Sequence, residues 1–356
     1  MPHPADETPS LRNLANQVGA LPADAVGGGR TRAPFQCVLV LLVARSHAQG
    51  RARRLTVAVA HLQWPAVRPD LGERVGQAVG VKPTAASVPF GAGYTHNERW
   101  IVRLADGRTA FVKAAVDDLT AGWLRAEYLV YAAVQEDFLP ALLGWHDDGA
   151  RPVLVLEDLS AAHWPPPWSP REVARLRAAL ERIAATPPPD GLESLEDRRA
   201  DLAGWELVAE DAEPFLLVGL CSRAWLEEAL PTLLAASQAC VLAGDSFLHF
   251  DVRSDNACFL GDRAVLVDWN WAAVGNPVLD VAAWLPSLEA EGGPAPEEIL
   301  PDAAEAASLI AGFFAARAGL RPPPTAPRLG EVRLAQLRTA LPWAARVLGL
   351  PPPEQV

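Results

Sequence analysis

The chain has few of the residues that build disulfide frameworks, zinc sites and membrane spans. Its 356 residues include four cysteines, and no two of them form a CxxC pair. This excludes a disulfide scaffold and gives no support for a structural zinc site. No apolar run approaches the ~20 residues that cross a bilayer. We therefore expect a protein of a reducing, cytoplasmic compartment, without a membrane partner.

Lysine is also rare, and basic residues are outnumbered by acidic ones. Lys82 and Lys113 are the only lysines among 31 basic residues, and the formal net charge is −12. Such a charge argues against nucleic acid as a partner, because the protein would repel the phosphate backbone. A cationic small molecule is favoured instead. Hydrophobic residues make up 50% of the chain, which supports a sizeable core and excludes a wholly disordered protein.

Residues 1–69 differ in composition from the rest of the chain. They are rich in proline, glycine and alanine, and carry eight arginines against three acidic residues. This shift in charge predicts a boundary near Pro69. We expect residues 1–69 to be a poorly ordered extension, or a segment that the native protein lacks. On either interpretation, folding and activity should not need them.

The next part, residues 70–159, has the pattern of a small sheet with one helix. The Asp106-Gly107 pair between two apolar segments predicts a tight hairpin turn. Trp123, Leu124, Tyr128 and Tyr131 recur at helical spacing, which predicts a helix over 120–134. The predicted strands, five in number, cover residues 81–90, 98–104, 109–114, 141–145 and 153–156.

The remainder, residues 160–350, is predicted to be mainly helical. Ser169, Pro170 and Glu172 have the types and spacing of a helix start with a capping box, so a helix is expected from there to Ala185. Further helices are expected over residues 199–210, 222–243, 278–288, 301–318 and 328–348.

One non-helical stretch within this part, residues 247–271, carries the candidate chemistry. His249-x-Asp251 is followed by Asn256, then by a predicted hairpin over 257–260 and 264–267, with Asp268 at its exit. The oxygens of Asn256 and Asp268 suit a Mg²⁺ ion that carries phosphates. Asp251 is then free to accept a proton from the hydroxyl or amine of an acceptor.

Lys113 lies in the middle of an apolar predicted strand, where an ammonium group needs a partner. A compact charge fits between nucleotide phosphates better than a guanidinium fork does. The expected partner is Glu127 on the following helix, with Glu136 as the alternative. Gly91 and Gly93 open the hairpin that contains Lys113, and would let the backbone approach phosphates closely.

These segments resemble a known family. The run HFDVRSDN, then LVDW, then GNPVLDVA is similar to the signature of the aminoglycoside phosphotransferase and choline kinase superfamily, which shares the protein-kinase-like fold. The resemblance implies an α+β fold of two lobes, a small five-stranded antiparallel sheet lobe and a larger, mainly helical lobe. Where protein kinases have Asp-Phe-Gly, this chain has Asp268-Trp269-Asn270, a departure common in small-molecule kinases of this kind.

The resemblance also implies roles for individual residues. Asp251 would be the catalytic base, with His249 bracing its loop. Asn256 and Asp268 would hold magnesium, and Asp280 would anchor the helix that follows. Nucleotide phosphates would meet Lys113, supported by Glu127, together with Gly91 and Gly93. The connector from Glu157 to Leu159 would pair with adenine through its backbone.

The activity implied is that of an ATP- and Mg²⁺-dependent phosphotransferase with an alcohol group, or an amine, as acceptor. Residues 181–213 hold ten acidic residues against three arginines. They either form a solvated helical face or line the site of a cationic acceptor such as an aminoglycoside or an amino alcohol. Most of the twelve tryptophans are expected in the core, but those that could stack on the acceptor are Trp164, Trp168, Trp205, Trp269 and Trp271. Two alternatives stay open: a kinase-fold nucleotide-binding module without turnover, and a metal-dependent hydrolase built on His249, Asp251 and Asp268.

Overall fold

The computed structural model describes residues 66–89, 97–323 and 326–353. We predicted that residues 1–69 form a dispensable extension. Residues 1–65 of that segment lie outside the described residues, so this stays a prediction. The same is true of the predicted phosphate loop with Gly91 and Gly93.

A five-stranded antiparallel sheet forms the first lobe, as predicted. Its strand order is β1-β2-β3-β5-β4. Gly107 has φ 89° in the turn between β2 and β3, a conformation that glycine adopts without steric cost. The five strands are β1 Pro83–Ser87, β2 Glu98–Leu104, β3 Thr109–Ala114, β4 Leu142–His146 and β5 Val153–Glu157.

The outer face of this sheet is covered by a helix that was not predicted from the sequence, α1 (Pro69–Val79). Leu71 and Val75 of α1 are buried against the sheet in a small apolar core. Gly72 and Gly76 lie inside the helix, and glycine has a low intrinsic helix propensity. Packing on the sheet therefore stabilises a helix that local sequence does not favour.

We expect Leu71→Ala to lower the free energy of unfolding by about 2–5 kcal/mol, because Leu71 is 1% exposed. Denaturant unfolding at equilibrium measures the change. Gln77→Ala, on the exposed side of the same helix, is the matched control and should cost less than about 0.5 kcal/mol. A loss of stability in Leu71→Ala as small as that in Gln77→Ala would show that α1 does not unfold together with the rest of the domain.

The helical lobe begins after a proline connector, with α3 (Pro170–Ala185). The predicted capping box is present, since Ser169 accepts from the Glu172 N–H while the Glu172 carboxylate accepts from the Ser169 N–H.

The helix expected over 199–210 is interrupted at Ala203, and Gly204 packs directly on the backbone of Gly312. The remaining helices of the described residues are α2 Asp118–Ala133, α4 Arg199–Leu202, α5 Gly204–Glu210, α6 Glu213–Leu216, α7 Arg223–Ala239, α8 Val278–Ala290, α9 Pro296–Ile299, α10 Ala304–Ala318 and α11 Leu329–Val347.

Two small antiparallel strand pairs lie within the helical lobe and frame the candidate chemistry. The predicted hairpin is present as β7 (Ala257–Leu260) and β8 (Arg263–Leu266). A second pair, β6 (Ser246–Leu248) with β9 (Ala273–Gly275), was not predicted. None of the helices in the described part of the chain combines the length and apolar character that a bilayer span requires. The predicted α+β class, with a small sheet lobe and a larger helical lobe, is confirmed.

Candidate active site

Lys113, Glu127 and Asp268 form one ion cluster between the sheet and the helical lobe. The Lys113 Nζ donates to the two carboxylate oxygens of Glu127, at 2.7 and 2.9 Å, and to Oδ1 of Asp268, at 2.8 Å. Lys113 and Glu127 are 5% and 1% exposed. Glu127, expected from sequence, is thus the partner, whereas the alternative Glu136 is exposed.

The two carboxylates of the cluster differ in their environments. Burial raises the pKa of Glu127 to about 8, with the Lys113 ammonium opposing the rise. Burial also acts against ionised Asp268, but the Lys113 and Arg99 cations outweigh it and hold the pKa of Asp268 below its usual range. The Asp268 side chain is 31% exposed. Asp268 is therefore an ionised carboxylate open to the cleft, and Glu127 is an internal anchor for Lys113.

The loop that carries Asp251 is held by a carboxylate from α8. Oδ2 of Asp280 accepts from the His249 N–H at 2.9 Å, and Oδ1 accepts from the Phe250 N–H at 2.6 Å. Phe250 has φ 57°, a left-handed conformation that is unfavourable for a bulky residue. Asp280, which the resemblance assigned to anchoring its own helix, thus also fixes the strained backbone next to Asp251.

His249 connects this loop to the segment that ends in Asp268. Its Nδ1 accepts from the Asp251 N–H at 3.2 Å, so Nε2 carries the proton and donates to the Val267 carbonyl at 2.9 Å. Burial lowers the pKa of His249 to about 4, and the ring is neutral at pH 7. With 0% exposure, His249 has no surface to offer a substrate, which fits the bracing role.

Asp251 lies between an amide and a guanidinium. Nδ2 of Asn256 donates to Oδ2 of Asp251 at 2.9 Å and to its backbone carbonyl at 2.9 Å. Arg253, which the sequence analysis did not single out, donates to Oδ1 of Asp251 and also to Asp255. Burial raises the pKa of Asp251 to about 7, with Arg253 opposing the rise. The Asp251 side chain keeps 23% of its surface exposed.

The donors at this point fit a hard divalent cation. Because the Asn256 amide nitrogen faces Asp251, its Oδ1 is the atom available to a cation. The Val267 N–H donates to the Asn256 carbonyl at 2.9 Å, which brings Asn256 beside the residue before Asp268. An amide oxygen and an ionised carboxylate are ligands that Mg²⁺ accepts, with water and phosphate oxygens completing its shell.

The connector between the lobes carries the other two predicted nucleotide residues. The Glu157 carboxylate pairs with Arg263, at 2.8 Å, and accepts from the Ala141 N–H. Leu159 packs with Cys258 and Val265 in a small apolar cluster. The Glu157 side chain therefore joins β5 to the β7–β8 hairpin, and the buried Leu159 side chain packs on the same hairpin.

The segment after Asp268 is joined to part of the acidic region. Arg198, 5% exposed, donates to the carbonyls of Trp271 and Ala272 at 3.0 and 3.1 Å. The Leu195 N–H donates to the Val274 carbonyl at 2.8 Å. These bonds place acidic residues 193–197 next to the turn that displays Trp271. Nothing in the composition of the region indicates Arg198 in particular, because its partners are backbone carbonyls distant in sequence.

The five tryptophans proposed to stack on a ligand divide by burial. Trp205 and Trp269 are fully buried core residues, so the suggestion that they stack on a ligand was wrong. Trp168 is partly buried and donates to Glu291. Trp164 and Trp271 are each 37% exposed. Trp164 donates to the Leu159 carbonyl at 3.4 Å, at the connector end, whereas Trp271 follows Asp268 by three residues.

Comparison with known proteins identifies a family for the chain and matches it to solved structures at low sequence identity. The model of the phosphotransferase enzyme family matches residues 88–323. None of the curated proteins matches the chain significantly. A choline/ethanolamine kinase family protein from Mesorhizobium loti is 17% identical, with a TM-score of 0.49 over 74% of this chain and 94% of that one. A macrolide 2′-phosphotransferase from Brachybacterium faecium is 16% identical, with a TM-score of 0.44 over 79% and 89% of the two chains.

Proposed function

Because the chain belongs to the phosphotransferase enzyme family, we propose that it is a small-molecule kinase that transfers the γ-phosphoryl group of ATP to a hydroxyl group, or an amine, of a cationic acceptor. The observation that carries this proposal is the link between two groups of side chains. The Lys113–Glu127–Asp268 cluster is tied, through His249 and Val267, to the loop with Asp251 and Asn256. A cytoplasmic location, where ATP is available, belongs to the same proposal.

Asp251 is the proposed general base. Its carboxylate is partly exposed, oriented by Asn256, and has a pKa raised to about 7 by burial. A base with a pKa near the operating pH combines the deprotonated form with a useful proton affinity. It would accept the proton of the acceptor hydroxyl as the oxygen attacks the γ-phosphorus, while the bond from that phosphorus to the β–γ bridging oxygen breaks and ADP leaves. The neutral His249 and the Asp280 carboxylate keep its backbone in place.

The nucleotide end uses the other predicted residues. Asn256 and Asp268 would hold Mg²⁺, which offsets the phosphate charge and orients the phosphoryl group. Lys113, anchored by Glu127, would contact the α- and β-phosphates, with Gly91 and Gly93 proposed to bring backbone N–H groups close to them. The backbone of the connector from Glu157 to Leu159 would pair with adenine.

We expect Lys113→Arg to lower kcat/KM by about 10²-fold, because the planar head cannot reproduce the three contacts of Nζ and misplaces the phosphates. Steady-state kinetics with Mg-ATP measures the loss, and thermal unfolding checks the fold. Lys82→Arg, at the only other lysine in the chain, is the control and should behave as wild type. A fully active Lys113→Arg enzyme would contradict the assignment.

The acceptor end is proposed to favour a cation that also has a flat or apolar face. Trp271 is exposed three residues after Asp268, and the segment joined to it carries Glu193, Glu196 and Asp197. Glu193 and Glu196 pair with arginines, while Asp197 is exposed. An organic cation can stack on the indole while nearby carboxylates lower its electrostatic energy.

The test is a screen of acceptors with ATP and Mg²⁺, in which ADP release and phosphorylated product are both measured. Pairs of hydroxyl compounds that differ only in an amino group distinguish cationic from neutral acceptors. Turnover with the amine-bearing member of a pair, absent from the Asp251→Asn variant, supports the proposal. Turnover that prefers neutral members would refute the acceptor class and leave the kinase assignment intact.

The two alternatives make different predictions in this screen. A nucleotide-binding module would bind Mg-ATP and turn over no acceptor. A metal-dependent hydrolase on His249 has less support, because both ring nitrogens are engaged with protein groups. Within the described ranges, no group of three or more His, Cys, Asp or Glu side chains is arranged to hold a metal ion.

A further inference from the structure

A second buried cation, Arg99, lies across the hairpin from Lys113. Arg99 is in β2, and the strand register pairs it directly with Lys113 in β3. Directly opposed residues of an antiparallel pair point to the same face, with Cβ atoms about 4.5–5.5 Å apart. Arg99 is 9% exposed, and its Nη1 donates to the Asn97 carbonyl at 3.3 Å.

The face that Arg99 shares with Lys113 is the one turned to the helical lobe. Val102 and Val112, which point the opposite way, belong to the outer core with α1. Phe111 and Leu154, which alternate with them, pack on the main core. Arg99 also acts on Asp268, since it is one of two cations that hold the pKa of that carboxylate low. The guanidinium is therefore inside the cleft.

The charges around Lys113 explain why a second cation would help to bind phosphate. Lys113 is shared by two carboxylates, Glu127 and Asp268. The ammonium makes three contacts to these carboxylates, so it would have to share its three N–H donors between them and a phosphate chain. Lys113 lies beside the ionised Asp268, so these two groups together offer little net positive charge to a phosphate chain. Arg99 adds a positive charge to this group and offers a fork of donors that matches phosphate oxygens.

We propose that Arg99 is a second phosphate-binding residue of the nucleotide site, which contacts the phosphate chain from β2 while Lys113 contacts it from β3. This inference rests on the proposed ATP-dependent function. It adds that part of the affinity for ATP comes from a guanidinium on the neighbouring strand. A structural arginine would support the fold equally for every nucleotide, whereas a phosphate ligand distinguishes nucleotides by their phosphates.

The experiment compares the affinities of the full-length protein for Mg-ATP and for adenosine by calorimetry. In Arg99→Met, we expect the Kd for Mg-ATP to rise about 10- to 100-fold, as for loss of a hydrogen bond between charged groups. The Kd for adenosine should stay within about twofold of wild type, because adenosine has no phosphate. Arg99→Lys keeps the charge but not the fork, and should show an intermediate loss for Mg-ATP.

Arg103→Met is the matched control, because Arg103 lies on the same face of β2 by alternation but is exposed. It should bind both compounds as wild type does. If Arg99→Met does not fold, the test rests on Arg99→Lys, and the quantity compared with wild type is again the Kd for Mg-ATP relative to the Kd for adenosine. Unchanged Mg-ATP affinity in the Arg99 variants, or equal loss for both compounds, would overturn the role of Arg99 and leave the kinase assignment standing. A wild-type protein that does not bind Mg-ATP would overturn both.

Discussion

We expect Asp251→Asn to lower kcat by about 10²–10⁴-fold, the usual contribution of a positioned general base, while Mg-ATP binds with nearly unchanged affinity. Asparagine keeps the size of the side chain and can still meet Asn256 and Arg253. What it loses is the ability to take up a proton from the acceptor. Single-turnover kinetics with a productive acceptor, together with calorimetry of Mg-ATP binding, separates the two effects.

The control for this variant is Asp255→Asn. Asp255 is the other carboxylate that Arg253 contacts, at 2.9 Å, and it is exposed. Loss of a negative charge next to Arg253 is therefore common to both variants, and only one of them removes the proposed base. Retention of more than about a tenth of kcat in Asp251→Asn would contradict the general-base role.

Asp268→Ala should abolish Mg²⁺-dependent nucleotide binding and activity together, with the affinity for Mg-ATP reduced at least about 10²-fold. Loss of a residue that only holds a metal ligand in place typically costs about 10–100-fold in metal affinity. Asp268 supplies the proposed carboxylate ligand itself, so its loss should cost at least as much. Lys113 keeps its two contacts to Glu127, so the fold should survive. Titration of Mg-ATP by calorimetry, with and without Mg²⁺, is the measurement.

Asp262→Ala removes a carboxylate from the turn of the same β7–β8 hairpin and is the matched control. Its side chain is 97% exposed, so the variant should bind Mg-ATP normally. Thermal unfolding of both variants shows whether any loss reflects the fold. An Asp268→Ala protein with wild-type affinity for Mg-ATP would remove Asp268 from the magnesium site.

Much of the fold could be predicted because its elements are specified locally. The Asp106-Gly107 turn and the apolar segments beside it define β2 and β3 to the residue. The capping box at Ser169 and Glu172 defines the start of α3 in the same way. In both cases the deciding interactions join residues within a few positions of each other, so their types are visible in the sequence.

Elements that depend on distant contacts were missed or misplaced. Helix α1 contains two glycines and is stabilised by the sheet on which it packs. The strands β6 and β9 have three residues each and pair across a separation that includes the whole β7–β8 hairpin. Local propensity is too weak to predict such elements, since most of their stability comes from burial against the rest of the protein.

The order and spacing of the candidate groups are predictable from residue types along the chain: Lys113, then Glu127, then the loop with Asp251 and Asn256, then Asp268. How those groups meet is apparent only in three dimensions. The fold brings Asp268 to Lys113 across 155 positions, sets Arg99 opposite Lys113, and directs Asp280 to the backbone of His249 and Phe250. Charge partnership and burial are properties of three-dimensional neighbours, so residue types and spacing alone cannot determine them.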